Sequence, residues 1–106
     1  MNINNVVDEM VNEALRKGDV KSIKVEVGAL APFSVSAVEN TLISLVDWHV
    51  YVVEKEAVVR CECGYYGAPK IVEKGEDFSL FVCPKCGEIP KIESGDKIKL
   101  VEVSLK

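Results

Sequence analysis

Histidine is nearly missing from this chain: His49 is the single imidazole among 106 residues. A site built from several histidines is therefore excluded. Positive charge is also in short supply, with 13 Lys and Arg against 17 Asp and Glu, a formal net charge of −4. A general nucleic-acid binder needs a basic face for phosphates, and this balance argues against one. Long hydrophobic runs are lacking. The longest stretch without a charged side chain covers residues 27–38 and is interrupted by Pro32, whereas a membrane span needs about 20 apolar residues. No membrane span and no signal peptide are expected, and the chain is expected in the cytoplasm. Repeats, low-complexity segments, paired carboxylates in a motif, a Gly-rich phosphate loop and a nucleophile arrangement are all wanting, so no enzyme is expected. What remains is 48% apolar and 28% charged residues. That is the composition of an ordinary folded domain and not of a disordered chain.

The four cysteines are concentrated at Cys61, Cys63, Cys83 and Cys86. In a reducing compartment, paired cysteines read first as metal ligands. Two tight turns together supply four thiolates for one tetrahedral zinc ion per chain. Four sulfurs close the coordination shell, so the expected zinc is structural. Cys83-Pro84-Lys85-Cys86-Gly87 has the spacing of a zinc knuckle. Its glycine permits the sharp turn that aims backbone amides at sulfur. Cys61-Glu62-Cys63-Gly64 has one residue between its cysteines instead of two, which demands a distorted turn. Two disulfides, a redox pair or inert thiols are the alternatives. A thiol oxidoreductase places its CxxC at a helix start after a strand, and Pro84 and Gly87 favour a knuckle instead. Residues 61–94 contain few large apolar side chains, chiefly Phe78, Leu80, Phe81 and Val82. Such a segment folds only with help from a metal.

Elsewhere the pattern is that of a small α+β domain. Ile3, Val6, Val7, Met10, Val11, Ala14 and Leu15 recur at helical spacing. Asn2, Asn4 or Asn5 can cap this helix and Gly18 can end it. Ile23, Val25 and Val27 alternate with Lys24 and Glu26, the mark of a half-buried strand. Ser36-Ala37-Val38-Glu39 matches a capping box, opening a helix with Ala37, Val38, Thr41, Leu42, Leu45 and Val46 on one face. Residues 49–60 form a long strand whose Glu54-Lys55-Glu56 interruption signals a bend, bulge or hinge. Gly95-Asp96 marks a turn, and a last strand over 97–105 alternates Val101, Val103 and Leu105 against Glu102 and Ser104. Residues 47–60 and 97–105 are expected to be neighbours. The predicted architecture is a three-stranded sheet with two helices on one face, plus a zinc-ribbon-like insert. Residues 1–60 and 95–106 would make the α+β domain and 61–94 the zinc-binding domain. Glu73-Lys74-Gly75-Glu76-Asp77 reads as a solvated hairpin tip. His49 beside Asp47 is a surface histidine or a replacement metal ligand, though one imidazole without partners makes a poor Ni²⁺ site. Trp48, Tyr51, Tyr65 and Tyr66 fill a junction between the two parts or form a partner patch.

The ordered combination of residues 23–30, a Ser-capped helix, Val59-Arg60-Cys61, Cys83-Pro84-Lys85-Cys86-Gly87 and residues 95–103 resembles the HypA/HybF family of hydrogenase maturation factors. The likeness covers residues 21–106. It implies a nickel metallochaperone with a structural zinc in the cysteine site. In that family nickel is carried by a His directly after the initiating Met, followed by Glu. The partners implied are a HypB-type GTPase and the large subunit of [NiFe]-hydrogenase, and the state implied is a monomer or a domain-swapped dimer. Two departures stand out. This chain begins Met1-Asn2-Ile3-Asn4, so the family's nickel ligands do not carry over and the nickel ligands here are unknown. The first cysteine pair is CxC. The expected function is that of a diverged, zinc-containing accessory protein in nickel insertion, acting through partner binding. The alternative is a zinc-ribbon interaction module with no nickel role.

Overall fold

The computed structural model describes residues 2–74 and 79–106. In chain order its elements are α1 (Ile3–Leu15), β1 (Val20–Gly28), α2 (Val35–Leu45), β2 (His49–Lys55), β3 (Val58–Arg60), β4 (Tyr66–Gly67), β5 (Lys70–Lys74), β6 (Ser79–Val82), β7 (Lys91–Ser94) and β8 (Ile98–Leu105). Most of the hairpin tip expected at 73–77, and Phe78 with it, lie outside the described residues. No helix among the described residues is long and apolar enough to cross a membrane.

α1 begins where Asn2 folds its side-chain oxygen back to accept from the Asn4 amide at 2.8 Å, a standard N-cap bond. Val7, Met10 and Ala14, spaced by three and four, are buried. Leu15, expected on the same face, is half exposed. α2 is capped by Ser34, whose Oγ accepts from the Ala37 amide at 3.1 Å, and not by Ser36. The capping box is therefore not formed, because Ser36 lies inside the first turn. Phe33 explains the shift. It is buried directly ahead of the cap, so the helix must begin at once for Val38 and Leu42, one turn apart, to be fully buried. Leu45 is left about half exposed at the helix end.

The main sheet has the order β2-β1-β8. β1 and β2 are parallel and β1 and β8 antiparallel. The two segments expected to be neighbours thus lie on opposite edges, with β1 between them. Parallel strands need a crossover, and α2 supplies it while covering the sheet. The central place goes to the strand whose Ile23, Val25 and Val27 are all buried. Both helices pack on the same face, giving a core of Val7, Met10, Ile23, Val25, Val38 and Leu42 among others. β8 also departs from simple alternation. Lys24 faces Glu102 but Val25 faces Leu100, so Val101 is an extra residue in a β-bulge. The bulge shifts the phase: Ile98, Leu100 and Val103 pack on the core, while Val101 and Leu105 are exposed.

At Glu54-Lys55-Glu56 the chain leaves the main sheet. β3 belongs to a second sheet of order β4-β3-β7, beside a two-stranded β5-β6 hairpin. The two parts are joined around residues 28–31. Gly28 donates to the Lys97 carbonyl at 2.9 Å, Ala29 to Lys55 at 2.9 Å, and Leu30 to Gly95 at 2.8 Å. Gly28 and Gly95 pass so closely that a Cβ on Gly28 would lie 2.1 Å from the Gly95 carbonyl oxygen. Leu30, Ala57 and Val59 form a second buried cluster with Tyr65 and Phe81 against it. Of the four aromatic residues singled out, Tyr65 fills this junction and Trp48 packs on the main core. Tyr51 and Tyr66 are exposed, and the Arg60 guanidinium lies over the Tyr66 ring at 5.8 Å.

Candidate metal centre

Each cysteine pair is delivered by a strand and closed by a glycine turn. β3 runs into Cys61, whose amide donates to Tyr65 at 2.9 Å while Gly64 donates back to Cys61 at 3.0 Å. β6 runs into Cys83, whose amide donates to Glu88 at 2.8 Å while Gly87 donates back to Cys83 at 2.9 Å. Gly64 and Gly87 adopt φ of +98° and +80°, a region open to glycine at no steric cost. Among the described residues no non-glycine residue has positive φ. The CxC turn is thus accommodated by Gly64 and needs no strained side chain.

The two turns face each other. Cys61 Sγ is 3.5 Å from Cys86 Sγ and Cys63 Sγ is 3.7 Å from Cys83 Sγ. All four sulfurs lie within 4.8 Å of one another. A disulfide needs about 2.05 Å, and all four cysteines are free thiols. Four sulfurs at about 2.3 Å from a tetrahedral ion stand about 3.8 Å apart, close to the spacing here. Each turn contributes one buried cysteine, Cys61 or Cys83, and one exposed cysteine, Cys63 or Cys86.

The thiols titrate unequally. Burial pushes the Cys83 thiol up, but amides of Cys86 and Lys85 and the Cys63 and Cys86 thiols favour its thiolate and bring it down to about 7. The Glu88 amide pulls Cys86 down, yet Cys61, burial and the two remaining sulfurs push it up to about 12. The Cys63 amide and the Cys86 sulfur pull Cys61 down, but burial with the Cys63 and Cys83 sulfurs outweighs them and raises it. Crowded sulfurs cannot all ionise without a counter-charge, and a divalent cation supplies one. The donor set, spacing and amide support fit a metal ion held by Cys61, Cys63, Cys83 and Cys86.

The structure brings together all four cysteines expected as ligands and does not bring His49 to them. His49 opens β2 on the surface and belongs to no group of three or more metal-ligating side chains among the described residues. The Gly28–Gly95 contact, which joins the metal end to the main sheet, was not foreseen from sequence. Its only local trace is a glycine at the end of each connecting segment.

No family model matches the chain, and no curated protein matches it in sequence. Solved structures do match in fold. The solution structure of the Ni metallochaperone HypA from Helicobacter pylori aligns with a TM-score of 0.64 at 16% identity, covering 99% of this chain and 97% of that one. A second solution structure of HypA protein aligns with a TM-score of 0.54 at 16% identity, covering 98% and 92%. The chain has a HypA-like α+β fold over nearly its whole length, with four cysteines gathered as in a zinc-ribbon-like site.

Proposed function

We propose that this chain is a zinc-containing, HypA-like accessory protein that serves nickel insertion into [NiFe]-hydrogenase by binding other proteins and catalyses no reaction itself. The observation that carries the reading is the HypA-like fold, which extends over 99% of the chain and includes the cysteine end. Zinc is the ion this reading assigns to Cys61, Cys63, Cys83 and Cys86, since four thiolates in a closed tetrahedral shell suit a structural zinc. Nickel is cargo in this scheme. Position 2 holds an asparagine engaged as the α1 cap, and among the described residues His49 belongs to no cluster of metal-ligating side chains. Direct nickel carriage is therefore not assigned to any residue here. A HypB-type GTPase and the hydrogenase large subunit are the partners proposed.

The test is capture from cells that make [NiFe]-hydrogenase, combined with nickel titration of the zinc-loaded protein. Recovery of the GTPase or the hydrogenase large subunit supports the reading, and micromolar nickel binding would add carriage to it. The asparagine cap at position 2 favours a second reading, a zinc-ribbon interaction module with no nickel role. Capture of neither maturation protein would select it.

A further inference from the structure

The two cysteines of each turn meet their surroundings differently. Cys61 and Cys83 are 8% and 1% exposed. Cys63 and Cys86 sit within runs of exposed residues, 62–64 and 84–89. They also line an open cleft of about 570 Å³, together with Cys61, Ile89 and Pro90 among others. A small molecule therefore reaches the four-sulfur centre from the side of Cys63 and Cys86. The closest sulfur contacts run between the turns. Cys63 Sγ is 3.7 Å from Cys83 Sγ, and Cys86 Sγ is 3.5 Å from Cys61 Sγ. Each exposed cysteine thus touches the buried cysteine of the opposite turn.

We propose that Cys63 and Cys86 are the points at which a peroxide attacks the metal centre, and that each is then bridged to its buried neighbour, Cys63 to Cys83 and Cys86 to Cys61, with release of the ion. This rests on the reading of the four cysteines as one zinc site. An accessible thiolate is a nucleophile. It attacks one peroxide oxygen, the O–O bond breaks, hydroxide leaves and the sulfur becomes a sulfenic acid. The buried thiolate attacks that sulfur, the S–O bond breaks, and a second hydroxide leaves as the S–S bond forms. Each bridge oxidises two sulfurs by one electron each, reduces one peroxide and takes up two protons to give two waters. The sulfurs need to close from 3.5 and 3.7 Å to about 2.05 Å. Two bridges leave no thiolate to hold the zinc, which departs as the dication. Bridging between the turns is favoured over bridging within them. A Cys61–Cys63 bridge would close over the single residue Glu62, a ring too tight for ordinary disulfide geometry. A Cys83–Cys86 bridge would leave those two thiols stranded. The bridges between turns tie together the same two turns that the metal ties, so the oxidised chain keeps the ends of β3 and β6 joined and keeps its fold.

The test is titration of the zinc-loaded full chain, its zinc content measured first, with hydrogen peroxide. A metallochromic indicator follows zinc release, and mass spectrometry maps the bridges. Cleavage after Arg60, Glu62 and Lys85 puts the four cysteines on separate peptides. One zinc should be released for every two peroxides, with Cys61–Cys86 and Cys63–Cys83 bridges and an unchanged circular dichroism spectrum. Dithiothreitol and zinc should restore the starting state. In the zinc-loaded chain, N-ethylmaleimide should modify Cys63 and Cys86 about tenfold faster than Cys61 and Cys83. Zinc retained against about a tenfold excess of peroxide would overturn the proposal. So would bridges within the turns, loss of the fold on oxidation, or labelling of Cys61 and Cys83 as fast as the exposed pair. A chain that takes up no zinc counts against the zinc reading itself, and its oxidation without metal still decides between bridges across and within the turns.

Discussion

Gly28→Ala tests how the two parts of the molecule are joined. Gly28 does not have positive φ, so alanine meets no backbone penalty there and the effect is purely one of space. The added methyl would lie 2.1 Å from the Gly95 carbonyl oxygen and 2.3 Å from its carbon. Both are backbone atoms and cannot rotate away. The Gly95 segment cannot back off freely either, because a Cβ on Gly95 would lie 2.4 Å from the Ala57 Cα, which shows how tightly that side is packed. Relief requires parting residues 28–30 from 95–97, which strains the Gly28–Lys97 and Leu30–Gly95 hydrogen bonds. Overpacking costs about 1–3 kcal/mol, and loosening two hydrogen bonds adds about 1 kcal/mol or more. The expected loss is about 2–4 kcal/mol, which for a chain of this size lowers Tm by about 10–25 °C. The assay is urea and thermal unfolding of the zinc-loaded protein, with bound metal quantified before each melt so that metal loss is read separately. A variant within about 0.5 kcal/mol of the parent would refute the close approach.

Removal of the Ser34 cap should cost about 1 kcal/mol in Ser34→Ala, whereas Ser36→Ala should change urea stability by much less. Leu42→Ala, at a fully buried position, should cost about 2–5 kcal/mol, while Leu45→Ala at the exposed helix end should stay within about 0.5 kcal/mol. Metal affinity should rise with pH, because the ion competes with protons for sulfur. Cys61 is raised and Cys86 is pushed up to about 12, so both are protonated in the metal-free protein at pH 7 and both must release a proton on binding. Cys83, at about 7, is roughly half ionised there and releases a fraction of one. Calorimetric titration in buffers of different ionisation enthalpy measures this release, and an affinity that does not vary with pH would contradict it.

The parts legible in the sequence are those fixed by near neighbours. Ile23, Val25 and Val27 alternate because β1 has one face in the core, and Val7, Met10 and Ala14 repeat because one face of α1 does. The four cysteines were legible because two short loops each concentrate two sulfurs, and only their meeting depends on the fold. Glu54-Lys55-Glu56 was legible as a break, but not that the chain would enter a second sheet there. The strand order was not legible, since any of the three strands can offer the same backbone groups and the choice is made by the α2 crossover. The phase of β8 was not legible either. Val101, Val103 and Leu105 alternate in sequence, and only pairing with β1 shows that a bulge turns Val101 outward. Ser34 and Ser36 are both competent caps locally, and Phe33 in the core decides between them.

The central claim is that Cys61, Cys63, Cys83 and Cys86 hold one zinc ion in a closed tetrahedral shell. X-ray absorption at the zinc edge, on protein with its metal content measured, tests it most directly. The account predicts one zinc per chain with four sulfur neighbours at about 2.3 Å. A metal-replete sample with no zinc and sulfur–sulfur bonds of about 2.05 Å, or with oxygen or nitrogen among the ligands, would contradict it.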